Sequence, residues 1–158
     1  MAVYLDCNAT TPLDPAVRAV MLRYLDQDYG NEGSRTHEFG ARAKQAVQRA
    51  RDQVAAVVGA KRDEVIFTSG ATESNNLAIL GLRAAAKEAG RTHIITTQIE
   101  HKAVLEPCDA MERSGFAVTR VPVGASGAVD PEAIRTALRR ETFLVSVMQV
   151  NNETGVRQ

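Results

Sequence analysis

The sequence lacks several features that would place it quickly in a class of proteins. Its 158 residues include no tryptophan, only 4% aromatic residues and only two cysteines, Cys7 and Cys108. Two cysteines without CxxC spacing exclude a disulfide framework and give no metal-ligand motif, so no metal is expected. A signal peptide and a long apolar run are also missing, so we expect a protein of the reducing cytoplasm that does not contact a membrane.

Charge is balanced rather than biased. The 19 basic and 19 acidic residues give a formal net charge of +0. Direct binding to nucleic acid is therefore not predicted, and partners have to be inferred from individual sites. The hydrophobic fraction of 44% and the chain length together predict one domain with a sizeable core.

Two helices are predicted in the first 60 residues. Asp14-Pro15 combines a helix N-cap with proline at the first helical position, and Gly59 ends the second, longer helix. A polar loop, residues 29–37, separates them. The apolar residues at helical spacing are Val17, Val20, Met21, Tyr24 and Leu25 in the first helix, and Ala43, Ala46, Val47, Ala50, Val54, Val57 and Val58 in the second.

Strands and helices alternate from residue 65 onward. Alternation of this kind predicts a parallel α/β sheet, and short strands rich in Val, Ile and Phe predict helices on both faces of it. The predicted strands are residues 65–68, 93–97, 116–121 and 142–150; the predicted helices are residues 72–89 and 102–113 and one starting at Asp130-Pro131.

Polar residues follow three of the predicted strands, in residues 69–72, 98–101 and 151–154. In open parallel sheets ligands bind beyond the carboxyl ends of the strands, so these three segments are expected to converge on one edge. The first lies in FTSGATESNN, residues 67–76, where the chain breaks at Ser69-Gly70 and reopens as a helix near Thr72. Unpaired N–H groups at such a helix start predict an anion site, and phosphate is the favoured guest.

Each segment also has a purely structural interpretation. Thr72 or Ser69 could act only as a helix cap, His101 could be an ordinary helix-start residue, and Asn151-Asn152 could serve only the turn after a buried strand. The two cysteines are expected to be unreactive, because nothing near them in sequence favours a thiolate.

Five motifs in fixed order give the chain a family resemblance: YLDCNATTPLDPAV, GNEGSRTHEFG, EVIFTSGATESNNLAILG, EHKAVLEP and VNNETG. From Tyr4 to Gln158 the chain resembles cysteine desulfurases, pyridoxal phosphate enzymes of the fold type I, class V aminotransferase group. The resemblance implies a three-layer α/β/α fold with a mainly parallel sheet. Residues 1–14 would be a substrate-pocket segment, and residues 15–158 the amino-terminal part of the large domain that binds pyridoxal 5'-phosphate.

The resemblance also assigns roles to residues. Ala71 and Thr72 would hold the cofactor phosphate, and His101 would stack on the pyridine ring and move protons. Asn152 would donate a hydrogen bond to the phenolic oxygen of the cofactor. The substrate pocket would be lined by Asn8, Ala9 and Thr10.

The implied reaction removes sulfur from L-cysteine and leaves alanine and a persulfide on an enzyme cysteine, which passes sulfur to an acceptor protein. It needs a lysine that binds the cofactor, an acid at the pyridine nitrogen and a thiolate nucleophile. The chain has none of these in the family motifs, so we expect an amino-terminal fragment with little activity alone. The family's lysine motif does not correspond to any of Lys44, Lys61, Lys87 and Lys102, and its catalytic-cysteine loop corresponds to neither Cys7 nor Cys108.

Several alternatives remain open. The stretches GSRTHEFGARAK and EHKAVLEP are most similar to desulfurases that supply sulfur for DNA backbone modification, but relatives serving iron–sulfur assembly or tRNA thiolation share much of the pattern. The chain could instead belong to another class V enzyme, such as a selenocysteine lyase or an aminotransferase, or be an inactive binding or dimerisation module. Family members are homodimers, so a dimer is expected.

Overall fold

The computed structural model describes residues 2–158. The chain divides into two compact units, of which the first ends at Phe67 and the second is Thr68–Gln158. The predicted boundary between residues 14 and 15 concerns the domains of a larger protein and stays a prediction. In the described part of the chain, no helix combines the length and the apolar character needed to cross a membrane.

The first unit contains the two predicted helices. Helix α1 is Pro15–Asp26, and Asp14 caps it by accepting a hydrogen bond from the N–H of Ala16 at 2.8 Å. Helix α2 is Glu38–Val58, and it ends at Gly59 in the left-handed conformation with φ 68. Both predictions are confirmed, because the signals that carried them act between neighbouring residues.

The predicted strand at residues 65–68 does not form. Val65 has extended backbone angles, but within residues 2–158 this segment pairs with no other strand, and Ile66 and Phe67 are 66% and 48% exposed. The Arg51 guanidinium donates a hydrogen bond to the carbonyl of Val65. An extended apolar segment becomes a strand only when a neighbour completes its ladder, so the apolar pattern alone was insufficient.

The second unit contains four helices. Helices α3, Ala71–Gly81, and α4, Arg83–Glu88, replace the single helix predicted for residues 72–89. The break falls at Leu82, whose ψ of −9 lies outside regular helix, directly after a glycine of low helix propensity. Helix α5, Lys102–Arg113, and helix α6, Pro131–Ala137, begin where the sequence predicts.

Three parallel strands form the sheet, in the order β2-β1-β3. Strand β1 is His93–Thr97, β2 is Ala117–Val121 and β3 is Thr142–Ser146. The α/β fold class is thereby confirmed. Strand β1 is fully buried, as expected for a central strand covered on both faces. Strand β3 is shorter than the predicted residues 142–150 and is not fully covered, because it lies at an edge of the sheet.

Helix α5 packs against β2 and helix α3 packs on α5, and both contribute to the core of this unit. A buried cluster joins α3, α4, α5 and β1 and fixes where α3 and α5 begin relative to the strand ends. Its members are Ile79, Ala86, Ile94, Val104, Cys108, Met111 and Phe116.

At the amino end of the sheet the buried His93 joins all three strands. Its Nδ1 lies 2.8 Å from Oγ1 of Thr142 on β3, and its Nε2 lies 2.8 Å from Oγ1 of Thr119 on β2. Burial lowers the pKa of His93, the nearby positive charge of Arg139 adds to this, and Glu141 acts in the opposite direction. The neutral imidazole is therefore the form that links the strands.

Candidate functional site

Helix α3 begins at Ala71 without a side-chain cap. Its first N–H groups, including those of Ala71 and Thr72, have no intrahelical partner and lie at the positive end of the helix dipole. Glu73 lies in the first turn of α3, and its Oε2 accepts hydrogen bonds from N of Ser69 at 2.6 Å and from Oγ of Ser69 at 2.7 Å in the preceding loop. These bonds lower the pKa of Glu73. Ser69 thus stabilises the carboxylate of Glu73, and the N–H groups of Ala71 and Thr72 are the donors that remain for a bound anion.

Gly70 leaves open space beside this helix start. Its φ of 164 and ψ of −179 are extended backbone that any residue can adopt, and a Cβ built there would meet nothing within 4 Å. The glycine is therefore not required by backbone strain. What it provides is room for a bound group next to the N–H groups of α3.

His101 is the N-cap of helix α5. Its Nδ1 accepts a hydrogen bond from N of Ala103 at 3.1 Å. Since Nδ1 is the acceptor, the neutral imidazole carries its proton on Nε2. The expected role as a helix-start residue is therefore filled by Nδ1, which caps α5. The side chain is exposed, so Nε2 can exchange a proton with a bound group.

The adjacent residues Asn151 and Asn152 differ in their surroundings. Asn151 is buried, and its Oδ1 accepts hydrogen bonds from N of Glu153 at 2.9 Å and N of Thr154 at 2.8 Å. Asn152 is exposed, and its Nδ2 donates to Oε1 of Glu153 at 2.9 Å. The side chain of Asn151 therefore stabilises the turn, whereas the side-chain amide of Asn152 lies at the surface of the same turn.

Two of the three predicted polar segments are joined directly. Nδ2 of Asn151 donates to the carbonyl of Ile99 at 3.1 Å, and N of Met148 donates to Oε1 of Glu100 at 2.6 Å. The segment at residues 69–72 is connected to them through the packing of α3 on α5. It follows an unpaired extended segment, so the expectation that all three segments end strands of one sheet is wrong for this one.

Glu100 has no counterpart in the sequence-based predictions. It is only 8% exposed, and its Oε1 also accepts a hydrogen bond from Oγ1 of Thr97 at 3.1 Å. An acidic residue directly after a buried strand was the available signal. Its partner Met148 is distant in sequence, so spacing alone could not identify the contact.

The proposed substrate segment belongs to the first unit, whereas the cofactor candidates belong to the second. Its turn is formed by hydrogen bonds from the N–H groups of Ala9 and Thr10 to the carbonyl of Asp6, and Oγ1 of Thr10 lies 2.5 Å from the hydroxyl of Tyr4. Asn8 is exposed in the same turn. The assignment of Asn8, Ala9 and Thr10 to a substrate pocket stays a prediction.

The two cysteines differ in accessibility. Cys108 is fully buried in the core, and burial raises its pKa to about 11. Cys7 is exposed. Cys108 is therefore a packing residue and an unsuitable nucleophile. Within residues 2–158, no cluster of three or more His, Cys, Asp or Glu side chains could hold a metal ion.

Comparison with known proteins places the whole chain in one group. The sequence profile described as Aminotransferase class-V matches residues 3–158. The mitochondrial cysteine desulfurase of Drosophila melanogaster is 53% identical over 156 residues, which are 99% of this chain and 34% of that protein. The crystal structure of DndA from Streptomyces lividans is 52% identical with a TM-score of 0.86, and the match covers 99% of this chain and 43% of DndA.

A further solved structure contains cysteine. SspA in complex with cysteine is 39% identical with a TM-score of 0.90, and the match covers 98% of this chain and 44% of SspA. The chain thus spans about a third of the curated relative and less than half of each solved structure. These neighbours share the α/β fold described above.

Proposed function

The chain belongs to the class V aminotransferase family, and from this we propose that the whole protein is a pyridoxal phosphate-dependent cysteine desulfurase. One observation carries the proposal: about half of the residues are identical to proteins named cysteine desulfurase along nearly the whole chain. The uncapped start of α3 and the imidazole at the start of α5 are compatible with that function. The 158 residues would contribute one end of the cofactor site.

The donors in the second unit fit pyridoxal 5'-phosphate. Unpaired N–H groups and the hydroxyl at Ala71 and Thr72 suit the phosphate, and open space next to Gly70 leaves room for it. The imidazole of His101 suits the face of an aromatic ring, and the amide of Asn152 can donate to a phenolic oxygen. The bound cofactor would supply the electron sink that the reaction needs.

His101 would move protons at Nε2, since Nδ1 is engaged by the N–H of Ala103. In the overall reaction the Cβ–S bond of L-cysteine breaks and Cβ takes a proton, which gives alanine. The sulfur forms an S–S bond with an enzyme thiolate, which becomes a persulfide. Burial and a raised pKa make Cys108 unsuitable for that thiolate, so we do not assign the role to it.

The test measures alanine and sulfide formed from L-cysteine by the complete polypeptide that carries this chain. Alanine and sulfide in equal amounts, formed with excess dithiothreitol to reduce the persulfide to thiolate and sulfide and dependent on added pyridoxal phosphate, would support the proposal. Release of selenide from selenocysteine alone would assign a selenocysteine lyase, and keto-acid formation would assign an aminotransferase. Absence of all three activities in cofactor-loaded protein would favour an inactive binding module. The 158-residue chain alone is expected to have little activity.

Thr72→Val tests the phosphate site separately. Loss of the hydroxyl should weaken pyridoxal phosphate binding about tenfold or more, because a hydrogen bond to a charged group contributes about 1.5–3 kcal/mol. Thr136→Val, at an exposed position of α6, is the matched control and should bind as the unchanged protein does. Equal binding by both variants would remove Thr72 from the site.

Partners and compartment are further parts of the proposal. L-cysteine would be the substrate, a sulfur-acceptor protein would receive the sulfur, and the protein would act as a homodimer in the cytoplasm. The two free thiols are compatible with a reducing compartment. Transfer of labelled sulfur to candidate acceptors from DNA modification, iron–sulfur assembly and tRNA thiolation would choose among those pathways. Sedimentation and cell fractionation test the dimer and the compartment.

A further inference from the structure

Two buried side chains connect the loop that carries His101 with the turn that carries Asn152. Glu100 and Asn151 are 8% and 7% exposed, and each directly precedes one of the two candidate cofactor residues. They lie at the carboxyl ends of the neighbouring strands β1 and β3. We call these two residues the buried clamp.

Glu100 forms the first half of the clamp. Its Oε1 accepts a hydrogen bond from N of Met148 at 2.6 Å and one from Oγ1 of Thr97 at 3.1 Å. The first bond crosses from the loop after β1 to the segment after β3. The backbone next to His101 is therefore tied to the chain that leads to Asn152.

Asn151 forms the second half: its side chain lies after β3 and reaches back to the backbone of the loop after β1. Its Nδ2 donates to the carbonyl of Ile99 at 3.1 Å, while its Oδ1 accepts from the N–H groups of Glu153 and Thr154. One amide thus connects to the His101 loop and closes the turn that contains Asn152. The two halves use different donors and acceptors, so they fix the relative position of the loops at two points.

Burial of a carboxylate at this point is costly without a compensating contact. In the described part of the chain, no lysine or arginine forms an ion pair with Glu100. Its compensation comes from the hydrogen bonds to Met148 and Thr97. Packing alone does not explain a buried acidic side chain at this position. We therefore attribute its role to the two hydrogen bonds that it accepts.

We propose that Glu100 and Asn151 are positioning residues: they fix the position of His101 relative to Asn152, so that both side chains can contact one cofactor ring. This inference rests on the proposed function, since it assigns the two candidate residues to one ring. Neither Glu100 nor Asn151 needs to touch the cofactor. Their effect is exerted through the backbone of the adjacent residue.

The test uses the complete polypeptide and three readouts: pyridoxal phosphate affinity by absorbance titration, hydrogen exchange of the Met148 amide, and the midpoint of urea unfolding. Glu100→Ala should weaken cofactor binding about tenfold, because small misplacements of positioned groups have large effects. It should also speed exchange at Met148, which loses its acceptor. Glu100→Gln keeps an oxygen in place of Oε1 and should recover most of the affinity.

Thr119→Val is the matched control. It removes the hydrogen bond to His93 at the opposite end of the same sheet, and it leaves the clamp intact. Its unfolding midpoint should fall as in Glu100→Ala, whereas its cofactor affinity should stay within about twofold of the unchanged protein. Asn151→Ala should resemble Glu100→Ala in affinity, and the double variant should lose less than the product of the two single effects.

The outcomes separate the two proposals. Failure of the unchanged protein to bind pyridoxal phosphate rejects the proposed function and this role with it. Cofactor binding by the unchanged protein together with equal binding by Glu100→Ala rejects the positioning role alone. Equal loss of affinity in Thr119→Val and Glu100→Ala also rejects it, because general destabilisation would then explain both.

Discussion

At the scale of single residues, the two ring nitrogens of His101 have different roles: Nδ1 stabilises a helix start, and Nε2 is proposed to transfer protons. Nδ1 caps α5 by accepting from the N–H of Ala103, which directs the proton of the neutral ring to Nε2. The cap and the proposed proton transfer are therefore compatible. A histidine that both begins a helix and selects its own tautomer enters the site already oriented.

The two cysteines lead to a prediction about thiol reactivity. With its pKa raised to about 11, Cys108 would be about one part in a thousand thiolate at pH 8, and its side chain is buried as well. Cys7 is exposed, so against the expectation from sequence that both thiols are unreactive, iodoacetamide should modify Cys7 alone in the folded 158-residue chain. Both cysteines should react after unfolding in urea. Mass spectrometry of tryptic peptides measures this. Rapid modification of Cys108 in folded protein would contradict its assignment to the core.

At the scale of elements, the sheet is linked across its amino end by the His93 imidazole. The folded state lowers the pKa of His93 below the ordinary value of 6.5, chiefly by burial and then by the charge of Arg139. Below pH 6.5 the unfolded chain binds a proton that the folded chain resists. The stabilising effect is complete above that pH and is lost as the pH falls.

His93→Gln tests this linkage. The free energy of unfolding of the unchanged chain should fall between pH 7.5 and pH 5.5 by more than that of the variant, because glutamine does not titrate in this range. Urea unfolding at both pH values measures the two differences. Parallel changes in chain and variant would show that His93 contributes no pH dependence.

Element predictions succeeded where the signals were local. The Asp14 and Asp130 caps and the left-handed Gly59 placed helix ends correctly. The segment at residues 65–68 failed, because a strand depends on a neighbour that its own residues cannot specify. The overlong prediction for β3 has the same origin, since apolar residues after Ser146 continue the pattern without continuing the ladder.

At the scale of the whole molecule, the sheet of the described residues has two edge strands, β2 and β3. Val145 on β3 is 42% exposed. An uncovered apolar edge strand favours pairing with another chain. We therefore expect the 158-residue chain alone to associate as its concentration rises.

Val145→Lys should reduce this association, because a charge on an edge strand opposes pairing between chains. Val57→Lys is the matched control, since Val57 is 85% exposed and lies on α2 rather than on a strand. Sedimentation velocity over a concentration series compares the three proteins. An equal effect of both substitutions would mean that the sheet edge is not the site of association, and a stable dimer that neither alters would favour the proposed homodimer through another surface.

The sequence by itself determined the starts of α1, α5 and α6, the end of α2 and the parallel α/β class. The phosphate site at Ala71 and Thr72 and the roles of His101 and Asn152 come from the family resemblance and stay predictions. Caps, glycine conformations and apolar spacing act over a few residues, so they can be recognised in the chain. Only the tertiary structure decided which apolar segments pair as strands and that Glu100 reaches Met148, 48 residues away. That contact exists because β1 and β3 lie side by side, and the pairing of distant strands is a property of the fold rather than of any short stretch of sequence.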